Sequence, residues 1–328
     1  MKKNLLIIAI LVIAAACVPK GKKALLTSHI EYDVAINNYG LMDPTMAHLG
    51  QESRSELQKF FLSELKSGNT LDSLGDKTTL TAVSAKIKSI DSSFTKMSDE
   101  TTAKQFMQKI NGIRFSEKWY YNDKTLEIEK KVLEISALCI QMDTFGTWQK
   151  VNLLFRIPMD TTANDGKGTY QLTEMVMTDA FVKNNAPNLT ELYNKHMADY
   201  FDNLDQSRQK EYFDLFINKT KDKKTEVYDF YFTKISESEK NKSLQVELND
   251  PETNKSRTYD LKASDFWRIK FAEQWNFDAS KKCFLKKVYA INPAVMVVDE
   301  YDNVRGFKPI FWFVFDKKVL EISKKYAQ

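Results

Sequence analysis

The chain has 328 residues, 43% apolar and 28% charged, a mixture that can bury a core for one large domain or two ordinary ones. Ten Gly and seven Pro fall below the usual ~7% and ~5%, which excludes collagen-like and low-complexity chains and argues against a glycine-rich nucleotide-binding fold. Three His and three Cys leave little material for a metal centre, and a net charge of +4 gives no reason to expect a nucleic-acid partner.

Lys2 and Lys3 precede an apolar run from Leu5 to Ala16, and Cys17 follows directly. This is the layout of a secretory signal peptide over residues 1–16; the run is short of the ~18–20 residues that span a bilayer. Ile13-Ala14-Ala15-Ala16-Cys17 resembles a lipobox, so Cys17 is the expected lipidation site, with a plain secreted protein as the alternative. Residues 17–30 then read as a flexible tether, basic at Lys20, Lys22 and Lys23. No Asp follows Cys17, which favours a lipid anchor in the outer membrane, on its periplasmic side. Cys139 and Cys283 could pair in an oxidising periplasm; two buried thiols are the simpler reading.

Residues 52–67 place Leu57, Phe60, Phe61 and Leu65 at helical spacing ahead of Gly68, and residues 205–221 do the same with Tyr212, Phe213, Phe216 and Ile217. Residues 113–136 align without gaps on residues 269–292, at an offset of 156. The identities are Ile113/Ile269, Phe115/Phe271, Glu117/Glu273, Trp119/Trp275, Lys130/Lys286, Lys131/Lys287, Val132/Val288 and Ile135/Ile291. Chance supplies only one or two at about 6% per position. The offset predicts an internal duplication: a first domain over 31–183 and a second over 184–328, with the boundary near Asn184–Pro187. Each would be a helical segment packed on an antiparallel meander, an α+β fold. The expected strands are 113–121, returning over 126–142 after a turn at Asn122-Asp123, then 148–157, and Gly306–Phe315 in the second copy. The run 170–177 is expected to add a strand to the first sheet, 249–251 and 299–305 to be hairpin connections, and Ser236–Lys242 to be a solvated loop.

On a strand, Ile113, Phe115, Glu117 and Trp119 share one face. Glu117 with Lys130, and Glu273 with Lys286, are candidate cross-strand ion pairs that fix register; a partner contact anchored by Trp119 or Trp275 is the alternative. A catalytic acid is the weakest reading, since no second carboxylate stands at fixed spacing. His29, His48 and His196 are scattered, no phosphate loop, dinucleotide fingerprint or nucleophile elbow occurs, and no cofactor, metal or catalytic residue is expected. FKPIFWFVF (307–315) suits a buried strand, with Pro309 at an edge position.

The segment DFWRIKFAEQWNFDASKKCFLKKVYAINPAV, with the later PIFWFVF, resembles the C-terminal region of the GldN/PorN family of the gliding-motility and type IX secretion apparatus of Bacteroidetes. Ile269, Glu273, Trp275, Phe277, Asp278, Ile291, Pro293 and Phe311-Trp312 fall on that pattern, and Tyr212–Lys219 with Val227-Tyr228 and Phe232 looks like the helix and turn before it. The match is best over 205–315. Lys270-Phe271-Ala272 departs from it, as does the lipobox. The resemblance implies a periplasmic, non-enzymatic component that assembles with envelope proteins, another lipoprotein among them, with homo-oligomerisation possible. A lipoprotein module binding a glycan or small ligand through exposed aromatics is the alternative, and a hydrolase the third.

Overall fold

In the computed structural model the described residues are 21–36, 49–91, 105–106, 108–142, 148–162, 169–182, 206–250, 255–298 and 304–326. The signal peptide, Cys17, His48, His196 and the 184–187 boundary lie outside them. In chain order the elements are β1 (Lys23–Ala35), α1 (Gln51–Lys66), α2 (Leu80–Ile90), β2 (Gly112–Asn122), β3 (Ile128–Met142), β4 (Trp148–Pro158) and β5 (Tyr170–Phe181). There follow α3 (Gln206–Lys221), α4 (Glu237–Ser243), β6 (Gln245–Asp250), β7 (Lys255–Asp260), β8 (Phe266–Asp278), β9 (Cys283–Val298), β10 (Val304–Pro309), β11 (Phe313–Val314) and α5 (Lys318–Tyr326). The fold is α+β, and nine strands form one antiparallel sheet. Its spine runs β1-β2-β3-β9-β8-β5, with β4 paired to β3 and β10 and β11 paired to β9; β6 and β7 make a separate hairpin. The helical stripes are buried as the spacing predicts: Leu57, Phe60, Phe61 and Leu65 on α1, and Tyr212, Phe213, Phe216 and Ile217 on α3.

The two halves therefore do not build two separate meanders: they share a sheet, joined where β3 lies beside β9. Each helix also reaches across. Phe60 of α1 packs edge-on to Phe277 of β8 with centroids 4.8 Å apart, and Lys282 bridges to Glu64. Tyr212 of α3 packs on Tyr121 of β2 and donates a hydrogen bond to the Leu126 carbonyl at 3.1 Å. Local features recur at a nearly constant spacing. The β2–β3 and β8–β9 ladders each skip one residue of the return strand, Leu133 and Tyr289. The preceding turns each hold a residue at positive φ, Leu126 at 64° and Lys282 at 48°. Isolated bridges join Leu71 to Arg156 and Tyr228 to Trp312.

Five expectations are corrected. Residues 23–30 are strand, not tether; pairing with β2 slips twice, between Leu25 and Thr27 and between Thr27 and Ile30, which breaks the alternation that marks a strand. The run at 170–181 joins β8 rather than the first-half strands, because alternation selects a face and not a neighbour. The β2–β3 turn is wider than Asn122-Asp123: Tyr121 pairs with Ile128, and the Asn122 amide donates to the Glu127 carbonyl. FKPIFWFVF is interrupted between β10 and β11, where Trp312 exchanges backbone hydrogen bonds with Tyr228 instead of β9. Ser236–Lys242 is the cap and body of α4: Ser236 and Glu239 close a capping box, and Lys240 is buried, donating to the Asp222 and Thr225 carbonyls.

Candidate functional site

Alternation on β2 and β8 sends Ile113, Phe115, Glu117 and Trp119, and their counterparts Ile269, Phe271, Glu273 and Trp275, into the core. At the centre of the sheet β3 and β9 pair through only three positions, Glu129–Lys287, Lys130–Lys286 and Lys131–Leu285. Lys130 and Lys286 thus stand directly opposite each other. Like charges there would repel. Each lysine instead crosses to the carboxylate of the other half: Lys130 Nζ lies 2.9 Å from Glu273 Oε2, and Lys286 Nζ 2.7 Å from Glu117 Oε1. All four charged side chains are fully buried. The candidate pairs Glu117–Lys130 and Glu273–Lys286 are therefore corrected to a crossed set, the latter two approaching only to 3.9 Å. The cause is topological: β9 lies beside β3 and brings the second half's carboxylate within reach.

Neutral partners complete the set. Trp119 Nε1 donates to Glu117 Oε2 at 2.6 Å, and Trp275 Nε1 to Glu273 Oε1 at 2.8 Å. Tyr32 of β1 donates to Glu117 at 3.0 Å and accepts from Lys286 at 2.8 Å; Thr178 of β5 donates to Glu273 at 3.0 Å. The ammonium groups also sit over rings of the opposite half, Lys130 at 3.3 Å from the Phe271 centroid and Lys286 at 3.0 Å from that of Phe115. Two cations and two anions make the set neutral. Burying each ion costs several kcal/mol, which only such complete pairing offsets. Burial pulls the Lys286 ammonium down to about 8 against the attraction of Glu117 and Glu273. Burial would raise the Glu273 carboxyl, but the charges of Lys130 and Lys286 hold it below its ordinary value. The Tyr32 phenol is driven well above 10, first by burial and then by Glu117 and Glu273.

All six residues singled out in the sequence, Glu117, Trp119, Lys130, Glu273, Trp275 and Lys286, come together here. Neither Trp reaches the surface, so the partner-anchor reading does not fit their burial. Tyr32 and Thr178 were missed; the alternation Ile30, Tyr32, Val34 was the available signal for the first. Cys139 and Cys283 are buried thiols and form no disulfide. His29 sits at the surface, 3.0 Å from Ser116 Oγ. Among the described residues no cluster of three or more His, Cys, Asp or Glu could hold a metal ion. A cavity of about 380 Å³ lies between the β6–β7 hairpin and β8–β10, walled by Tyr259, Trp267, Met296 and Ile310 with Asp265 and Lys308 among its polar groups.

Fold and cluster define an α+β protein whose most elaborate charged constellation is sealed inside the sheet and braces the two halves. The family model described as gliding motility associated protein GldN matches residues 187–324, the segment running through α3 and the β8–β11 strands. The resemblance read from the sequence thus holds over the second half, and the match supports a bacterial-envelope component of gliding motility and type IX secretion. A comparison with curated protein sequences finds no match.

Proposed function

We propose that the chain is a lipid-anchored, periplasm-facing assembly component of the gliding-motility and type IX secretion machinery. The family match over residues 187–324 carries this reading. Cys17 would bear the lipid, in the outer membrane, and the partners would be other envelope proteins, another lipoprotein among them, with self-association possible. The chain would act by assembly and not by catalysis, which agrees with a charged cluster that no substrate can reach. We further read the two halves as copies of one unit, spanning 31–183 and 184–328. Three observations support this: the offset of 156 between Glu117, Trp119, Lys130 and Glu273, Trp275, Lys286; the paired skips at Leu133 and Tyr289; and the paired turns at Leu126 and Lys282.

Affinity purification of the full chain from native membranes tests the function. Co-purification of a defined set of envelope proteins in a large complex is expected, and recovery of the chain alone would contradict it. The cavity beside Trp267 favours a second reading, a module that binds a small ligand or glycan. Saturable binding of an envelope glycan to purified protein, lost in Trp267→Ala, would select that reading.

A further inference from the structure

Among the described residues the two most exposed large apolar side chains are Leu74, at 85%, and Tyr231, at 79%. They hold the same place in the repeated loops, two residues after Asp72 and Asp229. A single exposed apolar side chain needs no explanation. The second tip carries more: Phe230 is itself 55% exposed and packs edge-on to Tyr231, centroids 5.5 Å apart. This tip is also rigid. Asp229 Oδ1 accepts the Tyr231 and Thr233 amides at 2.9 and 2.8 Å, and Tyr228 exchanges backbone hydrogen bonds with Trp312 at 3.0 and 2.7 Å. Phe232 adopts φ 59°, a left-handed conformation held at the matching position of the first loop by Gly75, at 91°. Its buried ring stacks on Trp312 with centroids 4.9 Å apart, which offsets the backbone strain. The loop thus turns Phe232 in and holds Phe230 and Tyr231 out, pre-organised aromatic side chains of the kind that anchor protein contacts.

We propose that Phe230 and Tyr231 of one copy insert into the cavity beside Trp267 of a second copy; this deepens the assembly reading above by naming one of its partners. About 150 Å³ suffices for a benzene ring, so the cavity of about 380 Å³ admits both side chains. Its walls are apolar and aromatic at Tyr259, Trp267, Met296 and Ile310, and Lys308 and Asp265 offer a donor and an acceptor to the Tyr231 hydroxyl. The two surfaces do not meet within one molecule. Phe232 and Tyr228 belong with Ala272 and Ala290 to the small core on the face of β8 and β9 away from α3, where the Phe230 centroid lies 5.9 Å from Lys270 Nζ. Leu261 and Val295 of the cavity belong to the main core, which holds the Phe213–Phe266 stack of α3 on β8. Because tip and cavity are different surfaces, the contact is head-to-tail, each copy giving one tip and receiving another. Two aromatic side chains bury about 300–500 Å², against roughly 800 Å² per partner in a standard interface. The contact is therefore weak and reversible, and is best detected by trapping.

The test co-expresses two differently tagged full-length chains, Tyr231→Cys and Val297→Cys, and oxidises native membranes with copper–phenanthroline. Both positions are exposed, and Val297 lines the cavity. The unsubstituted chain reports background from its own cysteines. A disulfide-linked species carrying both tags is expected, several-fold above the yield when Leu74→Cys, the matching tip of the first half, replaces Tyr231→Cys. Adding Phe230→Ser to the Tyr231→Cys copy should lower the yield several-fold. No doubly tagged species, an equal yield from Leu74→Cys, or linkage only to other envelope proteins overturns the contact. The affinity purification above keeps the two readings apart. Envelope proteins recovered without the doubly tagged species sink this contact alone, whereas the doubly tagged species without them supports the contact and contradicts membership of the machinery.

Discussion

At the scale of single residues the structure rests on a choice made by two lysines. Lys130 and Lys286 face each other across β3 and β9, and each is neutralised by the carboxylate of the other half. Removing one member strands a buried charge, so Lys130→Met is expected to cost about 3–5 kcal/mol. In urea unfolding, Lys130→Met combined with Glu273→Gln should cost less than the sum of the two changes, by up to about 3 kcal/mol. Lys130→Met with Glu117→Gln should show the smaller coupling; the reverse order would contradict the crossed pairing. The pH dependence has a worked sign. Between about 8 and 10.5 the unfolded chain holds a proton on Lys286 that the native protein has lost, so this group makes stability rise with pH. Tyr32 acts oppositely above pH 10, where the unfolded phenol ionises first and stability falls. Glu273, held below 4.5 in the fold, contributes stability above 4.5 that is lost as pH drops through its native value. Between pH 8 and 10 the unfolding midpoint of the unsubstituted chain should rise relative to that of Lys286→Met, a comparison that cancels the opposing slope from the buried Cys139 thiol; a constant difference across this range would remove Lys286 as a source of pH dependence.

At the scale of elements, much of the architecture was legible because burial imposes a period. The stripes Leu57, Phe60, Phe61 and Tyr212, Phe213, Phe216 mark α1 and α3, and the alternation Ile113, Phe115, Glu117, Trp119 marks β2 and its inward face. The six site residues were found through their repetition. What stayed hidden has a physical reason in each case. Period two assigns a face and no neighbour, so the junction of β3 with β9 and of β5 with β8 left no trace, and neither did the crossing of the ion pairs. The slips around Thr27 blur alternation, which concealed β1 and with it Tyr32. The Ser236 and Glu239 of α4 form a readable capping box, overlooked beside a run of charges.

The loops after α1 and α3 share one device. Asp72 Oδ1 accepts the amides of Leu74 and Asp76, and Asp229 Oδ1 accepts those of Tyr231 and Thr233. Asp72→Ala and Asp229→Ala should each cost about 1–3 kcal/mol in thermal or urea unfolding, and by similar amounts. A loss confined to one of them would show that the two loops are not equivalent.

For the whole molecule, the claim is that two halves form a single cooperative body. Nine strands lie in one sheet, α1 packs on β8 through Phe60 and Phe277, α3 packs on β2 through Tyr212 and Tyr121, and the ion pairs cross the join. Native-state hydrogen exchange tests this claim most directly. Ile87→Val shortens a fully buried side chain of α2 in the first half and should cost about 0.5–1.5 kcal/mol. The slowest amides of β8 and β9 should lose protection by the same factor as those of β2 and β3, near fivefold for 1 kcal/mol. Loss confined to β2 and β3, with β8 and β9 unchanged, would contradict the account.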